Sequence, residues 1–308
     1  FIAFSEDFAY HSELTSALSN AYTFGKYRGS ISSKALYSTL DTDGLGFATL
    51  NATCSFSNES WWAFQAKEGG LTDGANTSIK KGIRHYVVAL KNDLNVVVDV
   101  LVTHMNTADG DAQITAQNNQ LSEIAAYINS IRGNNRPIIF MGDTNCRYTR
   151  ENLKTLFIDS INADSRFTIQ DAWIEHVRGG DYPVHGSDAI VAVDKGGTYE
   201  YPQAEIVDKI FYINNTDSEV TIKADYYQIA TDFVDDSGTA LADHWPVVVQ
   251  FTYSIAGAHE HSYQETSRVE ATCTENGTIT YTCVDGDDSY TETIPATGHN
   301  YDNGVVTK

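Results

Sequence analysis

The chain has 308 residues, 42% of them apolar and 11% aromatic, enough for a packed interior, which excludes a chain disordered throughout. Its formal charge of -21 is spread over both of its parts, with 18 Lys and Arg against 32 Asp and Glu up to Ile255 and 2 against 9 beyond it, so long-range attraction to nucleic acid is not favoured. No apolar run of about eighteen residues occurs, and no transmembrane helix is expected.

The sequence opens at Phe1-Ile2-Ala3-Phe4 with no initiator Met and no signal-type segment, and reads as starting inside a strand of a longer protein. From there to about Ile255, short β-rich runs alternate with helical stretches, the pattern of a layered α/β or α+β domain. Strands are expected at Tyr86 to Leu90, Val96 to Thr103, Pro137 to Gly142, Asp208 to Ile213 and Pro246 to Tyr253. Ala112 to Ile131 carries Ile114, Leu121, Ile124, Ala125 and Ile128 at helical spacing, so an amphipathic helix should cover one face of a sheet. After Ser254 the texture changes: Ala256-Gly257-Ala258 reads as a linker, and Thr-rich sequence of low hydrophobicity follows. The expected division is therefore 1–255 and 256–308. Cys273 and Cys283 flank Asn276-Gly277; they read either as partners across a hairpin or as two free thiols.

Four polar clusters adjoin apolar β runs. His104 closes the run Val96 to Val102, where an imidazole can donate to the charge that builds on a phosphoryl group. Asp143 and Asn145, in Gly142-Asp143-Thr144-Asn145, follow Pro-Ile-Ile-Phe-Met; a carboxylate there can orient a water while the amide donates to a phosphoryl oxygen, although Asp and Asn serve plain turns equally well. Asp208 opens the run Ile210 to Ile213, where it can fix the tautomer of an imidazole. Asp243-His244 precedes Trp245-Pro246, an acid and an imidazole able to divide metal binding and proton exchange between them. The basic side chains nearby are Arg147 and Arg150, which suit a substrate phosphate or a solvated surface, and Lys80, Lys81 and Arg84. His259, His261 and His299 lack a carboxylate partner at ligand spacing, which argues against a zinc hydrolase.

The order His, Asp-x-Asn, Asp, Asp-His resembles the motif series of the endonuclease/exonuclease/phosphatase (DNase I-like) superfamily, over about Phe1 to Tyr253. Ser5-Glu6-Asp7-Phe8 looks like the family's metal-binding Gln-Glu segment with Ser5 in place of Gln, and Asp7-Phe8-Ala9-Tyr10-His11 and Arg147-Tyr148-Thr149-Arg150 match one branch of it. The resemblance implies a four-layer sandwich of two packed mixed β-sheets flanked by helices, and in-line attack of water on a phosphodiester or phosphomonoester. It further implies Mg²⁺ or Mn²⁺ on Glu6, with Asp243 binding a second metal or steadying the histidine, and His104, Asp143, Asn145, Asp208 and His244 as the catalytic set. The family's first strand, which ends in a metal-proximal Asn, would lie before Phe1. Gln117 stands where the branch often has Arg, so the contact of that Arg is expected to be missing. Beyond Ile255, Ala271-Thr272-Cys273-Thr274, Tyr281-Thr282-Cys283 and Ile294-Pro295-Ala296-Thr297-Gly298-His299 resemble repeats on secreted and wall-attached Gram-positive proteins, with a second copy starting at His299-Asn300-Tyr301. That implies a small β-rich module, an extracellular or cell-surface location and wall or surface attachment. The acidic surface favours a small phosphate ester or a lipid headgroup; an extracellular nuclease and a non-catalytic adhesin are the competing readings.

Overall fold

The computed structural model describes every residue except 9, 29–41, 68–78, 109, 187–190, 193–203, 257–261, 287, 299–303 and 305–308. The chain divides into two compact units, Phe1–Ala256 and Gly257–Lys308. In chain order the first contains β1 (Ile2–Phe4), α1 (His11–Leu18), β2 (Tyr22–Phe24), β3 (Gly46–Leu50), β4 (Cys54–Ala63), β5 (Gly82–Leu90) and β6 (Val97–His104). There follow α2 (Asp111–Ile131), β7 (Ile138–Asp143), a π-helical segment Leu153–Ile158, α3 (Asp159–Asn162), β8 (Phe167–Asp171) and α4 (Ala172–Arg178). The strands β9 (Val191–Ala192), β10 (Ala204–Glu205), β11 (Asp208–Asn215), β12 (Val220–Ile229) and β13 (Val247–Ile255) complete it.

A six-stranded mixed sheet, β4-β5-β6-β7-β11-β8, is the spine. Its inner strands β5, β6, β7 and β11 are largely buried on both faces, while the edge strand β4 is mostly exposed. Leu101, Ile138, Phe140, Phe211 and Ile213 pack against Leu121, Ile124, Ala125 and Ile128 of α2 and against Phe157 and Ile158. Val98, Val100, Val102, Ile139 and Tyr212 face Phe47 of the β1-β3-β2 sheet and Val220, Ile222 and Ala224 of the β12-β13 ribbon. The result is the expected α/β sandwich of packed sheets with outlying helices. No helix among the described residues is long and apolar enough to cross a membrane.

Three differences from the sequence reading have local causes. β6 and β7 run one residue further than expected, onto His104 and Asp143, because the two are paired neighbours across a parallel ladder. Ile114 is only half-buried in α2, while Gln117 and Gln120 are fully buried. The start of this helix abuts the loops after β6 and β7, whose backbone groups need partners: Gln120 Oε1 accepts from the Asn106 N–H at 3.0 Å and Gln117 Nε2 donates to the Asn106 and Asn145 carbonyls, each at 2.9 Å. The third concerns the cysteines of the second unit, an antiparallel sheet of β14 (Tyr263–Val269), β15 (Gly277–Cys283) and β16 (Ser289–Ile294). Cys273 lies in the connection ahead of β15, with a free thiol, and Cys283 at the far end of that strand, opposite Tyr263, so the two do not face each other across the hairpin. Of the linker only Ala256 is described; His259, His261 and the repeat start at His299-Asn300-Tyr301 lie outside the described residues.

Gly142 is dictated by its neighbours. Its φ of +133° is open only to glycine, and a Cβ there would lie 2.0 Å from the Thr103 carbonyl oxygen. Gly142→Ala is expected to destabilise the first unit by roughly 3 kcal/mol or more, read as the midpoint shift in urea; an unchanged midpoint would refute this geometry.

Candidate active site

Strand register assembles the site. The parallel pairing of β6 with β7 sets His104 beside Asp143, and the antiparallel pairing of β7 with β11 sets Asp143 opposite Asp208. Three residues scattered over the sequence thus form a row across one end of the sheet, where three apolar strands stop or start. His244 joins from the loop before β13. Its neighbour Trp245 anchors that loop by packing with Ala204, Ile206 and Ile229, and His244 Nδ1 lies 2.7 Å from Asp208 Oδ2. Asp143, Asp208 and His244 each present a ligand atom within 4.8 Å of the others.

Charge in this row is tightly constrained. Asp143 Oδ1 accepts the Asn145 N–H at 2.8 Å, and Oδ2 lies 3.5 Å from His104 Nε2. Burial first, and the Asp208 carboxylate second, push Asp143 up to about 7. His104 is buried, and burial together with the Lys81 and His244 charges holds its imidazole well below the usual histidine range, hence neutral. Lys81, which the sequence reading grouped with Lys80 and Arg84 as a local basic cluster, lies buried beside the row. It is 5% exposed, its Nζ donates to the Met105 carbonyl at 2.6 Å and lies 3.1 Å from His104 Nε2. Burial pushes its amine down to about 8 against the pull of Asp143 and Glu6.

The loop after β7 is pinned from below. Asn145 adopts φ +51°, a strained value for a non-glycine residue, and its Nδ2 donates to the Met105 carbonyl at 3.0 Å. Gln117, standing where the branch often has Arg, makes contacts of its own: besides holding the Asn145 carbonyl, its Oε1 accepts from Arg150 Nη2 at 2.8 Å. Arg147 Nη1 donates to the Glu205 carbonyl at 3.1 Å. Both arginines, expected at a substrate phosphate, therefore brace protein groups. Arg84, grouped with Lys80 and Lys81 as a basic patch, is 1% exposed and clasps Asp43 through two nitrogens at 2.7 Å each, so it lines no groove. Lys80 is exposed.

Two metal ligands were expected from sequence, Glu6 and Asp243. Glu6 and Asp243 are exposed and stand outside the compact group of Asp143, Asp208 and His244. Local geometry explains Glu6: at φ +58° the chain turns so that Asp7, not Glu6, points inward, where Asp7 Oδ2 meets His11 Nδ1 at 2.6 Å. Glu6 still acts on the site through its charge on Lys81.

No family model matches the chain, and no curated protein does. Solved structures do. D. rerio TDP2, complexed with single strand DNA product, superposes with a TM-score of 0.55 at 16% identity, over 81% of this chain and 84% of that one. The human Nocturnin catalytic domain with bound sulfate anion gives 0.54 at 16%, over 82% and 80%. The chain has the endonuclease/exonuclease/phosphatase fold. In the endonuclease/exonuclease/phosphatase sandwich of this chain, the row of His104, Asp143 and Asp208 lies at the sheet end reached by the loops after β6 and β7 and the loop before β13.

Proposed function

We propose that this chain is a divalent-metal-dependent phosphoester hydrolase, using water to open a phosphodiester or phosphomonoester. The observation that carries the reading is Asp143 set between a buried neutral His104 and the Asp208–His244 pair. A cation fits the group on its chemistry. Two of the three convergent donors are hard carboxylate oxygens, and Asp143, raised by burial beside Asp208, is short of positive charge. Asp143 and Asp208 would hold Mg²⁺ or Mn²⁺ with Glu6 at the rim, and when bound the ion neutralises charge on the phosphate and leaving oxygen.

The remaining work falls to this chain's own groups. Asp208 fixes His244 by its Nδ1, so the imidazole exchanges a proton with water through Nε2. Asn145, locked by Asp143, Met105 and Gln117, carries its amide at a set position beside the row. The acidic surface, and arginines spent on protein groups, favour a small phosphate ester or a lipid headgroup over duplex DNA. The completeness of the row argues against a decayed, purely adhesive site.

Hydrolysis of bis-p-nitrophenyl phosphate is expected with Mg²⁺ or Mn²⁺ and is expected to vanish in EDTA; full turnover in excess chelator would sink the metal. A panel of sphingomyelin, inositol phosphates and single-stranded DNA then identifies the substrate class. The second unit reads as an extracellular attachment element, and every residue of the row lies in the first unit. Deleting 257–308 should leave kcat within about twofold of the full chain, a loss too small to reflect a missing catalytic group; a large drop in a folded truncation would show that the module takes part.

A further inference from the structure

Lys81 and His104 form a buried contact that the reaction above does not use. An ammonium has three donors and no acceptor. Facing it at 3.1 Å, His104 Nε2 must therefore offer its lone pair, and a neutral imidazole then carries its only proton on Nδ1. The same Nε2 lies 3.5 Å from Asp143 Oδ2. The proton position on His104 thus decides whether Asp143 meets an N–H or a lone pair. Nδ1 is buried and has no hydrogen-bond partner among the described residues, so its N–H goes unpaired and the Lys81 contact has to outweigh that cost to set the tautomer. Lys81 is itself held in place by its 2.6 Å bond to the Met105 carbonyl. The antiparallel register of Ile83 with Thr103 brings the start of β5 to the end of β6.

We propose that Lys81 is a positioning residue that fixes His104 as the Nδ1–H tautomer, so that the imidazole does not donate to Asp143 Oδ2. Resting on the phosphoesterase reading, the consequence is that both Asp143 oxygens stay on the reaction side: one is braced by the Asn145 N–H and the other is kept clear of a histidine donor. Without the ammonium, the ring would carry its proton on Nε2 and spend that oxygen on an internal hydrogen bond. A His104 donor would then compete with water or cation for Asp143.

The test needs no substrate. Nitrogen NMR of histidine-labelled full chain distinguishes the protonated from the bare ring nitrogen, with His104 assigned by the signal lost in His104→Gln. The wild type should show a neutral ring protonated on Nδ1, and Lys81→Met should move the proton to Nε2 with the His244 signals unchanged. A wild-type ring protonated on Nε2, or on both nitrogens, overturns the proposal without reference to any variant, and so does a Lys81→Met chain that folds and keeps the Nδ1–H form. In turnover, Lys81→Met should lower kcat about tenfold or more with KM within about threefold, as expected when a group held for the transition state is disturbed. An unchanged kcat in an active wild type would remove the catalytic consequence. If no phosphoester is cleaved while the tautomer behaves as stated, the functional reading fails and the Lys81 assignment stands.

Discussion

Asp143→Asn is expected to lower kcat by about 100- to 10,000-fold, the scale of an acid/base or electrostatic group, and at the same time to make the metal-free fold more stable above pH 7. The second effect follows from the direction of the shift. Burial and the Asp208 carboxylate raise Asp143 from 3.8 to about 7, so the folded state binds this proton more tightly than the unfolded state does. Its contribution is most favourable near pH 4 and below, declines as pH rises from about 4 to about 7, and stays low beyond. Asn cannot ionise and so avoids that decline, while its Oδ1 still accepts the Asn145 N–H. In EDTA the variant should gain roughly 2–4 kcal/mol over wild type at pH 8 and little at pH 4, read from urea midpoints at the two pH values. Undiminished turnover, or a stability difference that ignores pH, would contradict the placement of Asp143.

The second large effect concerns Asp208 and His244. With Nδ1 and Oδ2 at 2.7 Å, the carboxylate and imidazole are expected to act as one unit. His244→Ala and Asp208→Ala should each cost about 100- to 10,000-fold in kcat, and the double variant should be little worse than either, because groups that act together are strongly non-additive. Losses that multiply would show two independent roles. A full double-mutant cycle on folded protein, checked by circular dichroism, decides between the two outcomes.

What the sequence made legible was set by where chemistry meets the end of an apolar strand. His104, Asp143 and Asp208 each close or open a hydrophobic run, so a polar residue at that spot stands out, and their order carried the resemblance that the fold bears out. The pairing of Lys81 escaped because its partner is 23 residues away and only the β5–β6 register joins them; along the chain it looks like one more member of a basic cluster with Lys80 and Arg84. Gln117 was read as the loss of an arginine, whereas an amide that both donates and accepts can tie the Asn145 carbonyl to Arg150, a role that needs three dimensions to see. Arg147 and Arg150 looked like phosphate ligands because sequence shows a charge and not its destination. Glu6 is exposed for a similar reason: alternation along a turn decides which of the adjacent acids Glu6 and Asp7 faces inward, and with Glu6 at φ +58° it is Asp7.

The row that unites β6, β7 and β11 also has a temporal meaning. Its members are joined by a parallel pair with a long helix between the strands and by an antiparallel pair whose partners lie far apart in the chain, and His244 arrives later still. Contacts of such wide sequence separation form slowly, since loop-closure entropy is spent before they reward it. Helix α2 and the hairpin of β5 and β6 can gain structure early, but the row is not assembled until strands from the middle and the end of the first unit have met at the same end of the sheet. The proposed activity would therefore be a property of the finished topology, and a chain that has folded halfway would have none of it.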